Sequence, residues 1–169
     1  MQIVQSVPEF YRQRMAETLR ITLAAGPLDA LIYGFHDEAE DEAEPGNIDG
    51  DFGNLEDPIL TLDGDSLALT ARRENIARRL NGRCRGLLEM NSDGVIGFLH
   101  RTVFDFLRTR EMSTFLDRNT ADDFSPNLAI LKAYTAWVKT EAFIWSSDLR
   151  CRCLVEVALI YAAGVESDC

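Results

Sequence analysis

Apolar residues recur at helical spacing over most of the chain, with one acidic interruption and one short stretch of alternating character. Ser6-Val7-Pro8-Glu9 has the form of a capping box, Ser6 at the N-cap and Glu9 at the third helical position. Phe10, Met15, Leu19, Ile21 and Leu23 then carry an apolar stripe to Ala25, where Gly26-Pro27 stops it. With Pro27 in its first turn, a second helix follows through Leu28, Leu31, Ile32 and Phe35. The spacing predicts a third helix from about Ser66 to Cys84. Leu69, Ile76 and Leu80 face inward on it, and Arg72, Arg73, Arg78, Arg79, Arg83 and Arg85 lie on or beside the exposed face. Two short apolar runs, 86–90 and 95–100, flank Asn91-Ser92-Asp93-Gly94 and predict a β-hairpin. Thr102 is placed to cap the next helix, with Val103, Phe106 and Leu107 inward, and a short helix follows at Glu111–Leu116. After a loop over 117–123, Ser125-Pro126 opens a long helix to about Trp145, with Leu128, Leu131, Tyr134 and Val138 on one face. Ser147 or Asp148 then caps a last helix through about Ala163, closed by Gly164.

Three helices followed by a two-stranded wing is winged-helix order. The expected fold is mainly α: a winged-helix-like unit over residues 1–116, then a helical hairpin over 117–169 that begins a helical arm. Length adds little, since 169 residues suit one domain or one with a small appendage, large enough to bury a core without a disulfide or a metal.

Charge changes the picture more. Lys and Arg number 17 against 28 Asp and Glu, a formal charge of −11, which disfavours a polyanionic partner such as DNA. Twelve of the acids fall between Asp37 and Asp65, a stretch without Lys or Arg and punctuated by Pro45, Gly46, Gly50, Gly53 and Pro58. Like-charge repulsion and few apolar anchors make 37–65 a disordered acidic insertion. Asn47, Asp49 and Asp51 have the spacing that starts a calcium loop. That loop needs Gly sixth and Glu twelfth, where this chain has Phe52 and Pro58.

The start lacks a basic segment leading into a long apolar run, and no apolar stretch approaches the roughly 20 residues of a membrane helix. The cysteines, Cys84, Cys151, Cys153 and Cys169, make no C-x-x-C pair. With only His36 and His100 beside them, no zinc spacing arises. Reduced thiols and a cytoplasmic location are the expectation. Phosphate-cradling G-x-x-x-x-G-K-[ST], dinucleotide-binding G-x-G-x-x-G and nucleophile-elbow G-x-S-x-G are all absent. A Cys84–His100 dyad is the one catalytic pairing that spacing leaves open, and the expectation is that the chain is not an enzyme.

One stretch is more telling. Arg83-Cys84-Arg85-Gly86-Leu87-Leu88-Glu89, then Phe98-Leu99-His100-Arg101-Thr102-Val103-Phe104-Asp105-Phe106-Leu107, and later Pro126-Asn127-Leu128 leading to Tyr134, resemble the region after the NTPase core of fungal NACHT-type STAND proteins, the NOD-like receptors of filamentous fungi. Leu23–Leu28 and the apolar helix at 154–163 are similar to flanking parts of that region. In that family the junction of wing and helix carries F-x-H-x-x-x-x-[ED]-[FY], which Phe98, His100, Asp105 and Phe106 match. The resemblance implies that His100 contacts the β-phosphate of bound ADP when a P-loop domain supplies the rest of the pocket. No cofactor is expected in this chain otherwise. It further implies a regulatory module, part of a larger receptor, whose partner is the NTPase core or repeat domain of the same receptor or another protein. The plainer reading of His100 is a cap on the wing bonded to backbone, and of Asp105 an i, i+4 pair with Arg101. A DNA-binding winged helix using the basic patch of Arg78, Arg79, Arg83 and Arg85 is the alternative function.

Overall fold

The structure, a computed structural model, describes residues 7–43, 65–144, 156 and 159–163. Helix α1 spans Glu9–Ala25 and buries Met15, Ala16, Leu19 and Ile21. Pro8 is its N-cap, so Glu9 opens the helix rather than closing a capping box, and Ser6 lies outside the described residues. Thr18 and Thr22 are buried on α1, and each hydroxyl donates to the carbonyl four residues back, at 2.7 and 2.9 Å. Gly26 ends the helix at φ 74°, a conformation that favours glycine.

Leu28 and Asp29 do not begin the second helix. They form strand β1, paired antiparallel with the later strand β3 (Val95–Phe98) through Leu28↔Ile96 and Asp29↔Val95. Two residues carry no period of their own, so this pairing is set by tertiary contact. Helix α2 runs Ala30–Ala43, capped by Asp29, whose Oδ1 accepts the Leu31 N–H at 3.0 Å. Its first amide, Ala30 N–H, donates to Gly94 O at 2.9 Å. The acidic stretch therefore starts as helix: Asp37 and Glu38 belong to α2, and residues 44–64 lie outside the described residues. Leu31, Ile32, Tyr33 and Phe35 anchor α2 in the core, which offsets the repulsion among the acids that follow.

Helix α3, Asp65–Arg83, buries Ile76 and Leu80. It comes so close to α2 that a Cβ added to Gly34 would stand 2.7 Å from Ile76 Cδ1. Arg85 and Gly86, at φ 53° and 74°, turn the chain into β2, Leu88–Met90. Asn91 Oδ1 then accepts the N–H groups of Asp93 and Val95 at 3.0 and 2.9 Å and shapes the hairpin turn. The sheet order is β1-β3-β2, all antiparallel. Helix, strand, helix, helix, strand, strand with this order is a winged helix, one strand richer than the pattern predicted.

Helices α4 (Arg101–Leu107) and α5 (Arg110–Arg118) follow, with Leu107, Met112 and Leu116 inward. Helix α6, Pro126–Ile144, packs on α1 and α2 and shares their core. Its buried residues are Ala129, Ile130, Ala133 and Tyr134. Leu128, Leu131 and Val138, expected inward, are only half-buried. The small Ala129 and Ala133, one turn apart, let the helix axes approach, and this selects the face. Trp137 stacks on Phe35 at 6.4 Å, and Tyr134 on Tyr161 of the helical segment 159–163 at 6.0 Å. The proposed caps Ser147 and Asp148 fall outside the described residues. Among the described residues no helix is long and apolar enough to cross a membrane.

Candidate functional site

The junction of wing and α4 holds the four motif residues. Phe98 closes β3 opposite Leu88, and its ring meets Phe104 at 6.0 Å. Phe106 is half-buried against the core. The Phe98–Phe104 contact holds α4 against the wing, and Phe106 holds it against the core. Between them, His100 is exposed with extended backbone (φ −153°, ψ 151°) and is itself the N-cap of α4. Thr102, expected to cap, instead supplies the capped groups: its N–H donates to His100 Nδ1 at 3.2 Å, and its hydroxyl lies 3.0 Å from the same nitrogen. A ring nitrogen that accepts cannot carry the proton. The neutral imidazole is therefore the Nε2–H tautomer, a donor with no partner among the described residues. Asp105 is exposed and lies 3.9 Å from Arg101 Nε, a loose surface pair of little energetic weight. Leu99, beside His100, is an exposed apolar residue (53%) that the alternation of the strand could have revealed.

The basic patch divides. Arg83 leaves it: its two terminal nitrogens hold Asp37 Oδ1 and Oδ2 at 2.8 and 2.9 Å, with side-chain exposures of 11% and 5%. Thr18 Oγ1 lies 3.4 Å from the same guanidinium. Arg72 donates to Glu38 at 2.8 Å and lies over the Phe35 ring at 5.0 Å. Arg73 grips Asp29 with Nε and Nη2. Arg78, Arg79 and Arg85 stay exposed, Arg78 with a bond to Asn75. Half of the arginines read as an outward cationic face thus serve to join α3 to α2 and to β1. Pairing of the basic cluster with the acidic stretch beside it is what charge alone suggests, and Asp37 and Glu38 fulfil it; Asp29, which reads as part of a helix, carries no such sign. Eleven residues, three helical turns, separate Arg72 from Arg83; that one-sided spacing was the available signal. With these three engaged, α3 has less charge to offer a DNA groove than its sequence suggests.

The Cys84–His100 pairing does not form a site, since Cys84 is fully buried and His100 stands at the surface. Burial pushes the Cys84 thiol up from 9 to about 12, against the opposing charge of Arg83. Burial also raises the Tyr33 phenol, whose hydroxyl bonds Thr22 Oγ1 at 2.9 Å, and takes Tyr134 to about 12. Each of these groups keeps its proton in the folded state where the unfolded chain would release it. Stability is therefore unaffected below the ordinary thiol range and falls as pH rises from about 9 towards 12. Urea titrations at pH 8 and 10.5 should show that loss, and at pH 8 a disulfide reagent should label Cys84 at least about a hundredfold faster in urea than in buffer. His36, also buried, lies against Phe124 with ring centres 6.2 Å apart. Among the described residues no group of three His, Cys, Asp or Glu is placed to hold a metal.

The fold and the junction define a mainly helical winged-helix domain with an exposed histidine at the base of its wing. Residues 6–147 match the model of DUF7791, a domain of unknown function, and the chain belongs to that family. No curated protein and no solved structure matches it.

Proposed function

We propose that this domain is a non-catalytic regulatory module of a fungal NACHT-type signalling NTPase, coupling the nucleotide state of a P-loop core to the domains beyond it. The observation that carries this reading is the placement of His100. It caps α4 with Nδ1 at the surface, which leaves Nε2–H as a donor that a neighbouring domain could use. Such a donor suits a phosphate oxygen, and its position is fixed by backbone on both sides: the wing strand before it and the helix after it. Phe98 and Phe106 are the packing residues of the motif, and Asp105 is its solvent-facing acid. In this reading ADP belongs to the P-loop core, the partner is that core or a repeat domain, and the setting is cytoplasmic.

The test uses this chain and an NTPase core from a fungal NACHT protein. By titration calorimetry the chain alone leaves ADP unbound, and it binds the ADP-loaded core more tightly than the empty one. His100→Ala removes that preference by about tenfold or more, equivalent to about 1.4 kcal/mol. His100→Asn preserves the helix cap and separates folding from nucleotide contact. Equal affinity of the wild-type chain for loaded and empty cores defeats the proposal.

A further inference from the structure

We infer that the free edge of β2 is a docking site for an extended segment of a partner protein, added to the sheet as a fourth strand. The sheet order leaves β2 at an edge. The register fixes which of its backbone groups are open. Leu99 N–H bonds Leu87 O and Asn91 N–H bonds Val95 O, so the pairs 87/99, 89/97 and 91/95 face one another through hydrogen bonds. The intervening residues, Leu88 and Met90, direct their N–H and C=O away from β3. No partner takes these four groups among the described residues.

The space beside them is already formed. A cleft of about 300 Å³ lies along β2, between Ala77, Arg78 and Asn81 of α3 and Leu88 and Met90 of the strand. Side chains of an added strand alternate between the cleft and the opposite face of the sheet. Those opposite Leu88 and Met90 enter the cleft, where Ala77 offers apolar contact and the exposed Arg78 offers a cation. The residue between them lies beside Glu89, which borders the cleft and whose exposed side chain alternates to the other face of the strand. The edge therefore prefers a strand with apolar and acidic residues on one side and Lys or Thr on the other. Backbone bonds supply the attachment, and the alternating charges supply the choice of partner. The inference stands apart from the role proposed for His100.

The probe is a fluorescent peptide, Thr-Val-Lys-Asp-Thr-Val, followed by anisotropy against the full chain. In an antiparallel addition the amides of Val and Asp point at β2 and those of Lys and the second Thr point at solvent. N-methylation of the first pair should weaken binding by at least about tenfold, and N-methylation of the second pair should leave it within about twofold. Met90→Pro removes an outward N–H that the fold does not use, and should abolish binding with the circular dichroism spectrum preserved. Arg78→Glu should weaken this peptide and favour one with Lys in place of Asp, which keeps the test alive if the proline variant fails to fold. Absence of binding at millimolar peptide, or equal effects of the two methylation patterns, overturns the inference. So does a concentration-dependent dimer lost in Met90→Pro, which would assign the edge to a second copy of the chain.

Discussion

Replacing Asp37 with alanine is expected to cost about 3–5 kcal/mol of folding stability, read as a fall of about 10 °C or more in melting temperature and a matching shift in urea midpoint. The reason is the state in which it leaves Arg83. That guanidinium is 11% exposed and holds both Asp37 oxygens below 3 Å, between α1, α2 and α3. Without the carboxylate, a cation stays in the interior and loses both of its short charge-assisted bonds, with the Thr18 hydroxyl 3.4 Å away. Truncating one partner is severe, but the pair as a whole is not worth that amount, because burying both charges was itself costly. The double variant Asp37→Leu with Arg83→Met should recover most of the loss. If Asp37→Ala alone stays within about 1 kcal/mol of wild type, the pair is far wetter than its geometry indicates. Arg101→Ala, which removes a surface pair of 3.9 Å, should leave the midpoint unmoved.

Gly94→Ala is expected to be nearly as damaging, at about 2–4 kcal/mol. Gly94 sits at φ 80°, where an L side chain costs about 1–2 kcal/mol. A Cβ there would also stand 2.5 Å from Arg73 Cδ and 2.7 Å from its Nε. The arginine must move, and its fork on Asp29 opens with it. Asp29 is at once a β1 residue and the cap of α2, so one methyl group reaches the hairpin turn, the edge strand and the helix start together. A double-mutant cycle with Arg73→Ala separates the two causes. Backbone strain alone makes the penalties additive, whereas the steric route makes Gly94→Ala milder once Arg73 is gone.

How far the sequence spoke depended on the range of the interactions. The hairpin was legible because Asn91 and Gly94 are local instructions, one bonding its own turn and the other supplying a positive φ. Helices α1, α3, α5 and α6 were legible from their spacing. Strand β1 was not: Leu28 and Asp29 read as the first turn of a helix, and only Ile96 and Val95, far along the chain, make them a strand. The acidic stretch misled for a related reason. Composition predicts loop for its whole length, yet Arg72 and Arg83, more than thirty residues away, neutralise Glu38 and Asp37 and let α2 continue. At the wing junction the four motif residues were found by pattern, and the plainer reading of His100 as a cap bonded to backbone holds; only the cap placed at Thr102 does not. Histidine caps and threonine is capped, because extended backbone at position 100 points the ring back along the new helix.

The grip on α2 has a mechanical consequence. Helix α6 lies along one side of it with Trp137 stacked on Phe35, α3 clamps another side, and the first amide of α2 is tied to the hairpin tip. Phe35 is itself roofed by Arg72, so the two clamps meet on a single ring. The helix behaves as an axle shared by the back of the domain and its wing. Displacing α6 at Trp137 therefore loads the same helix whose first amide holds Gly94.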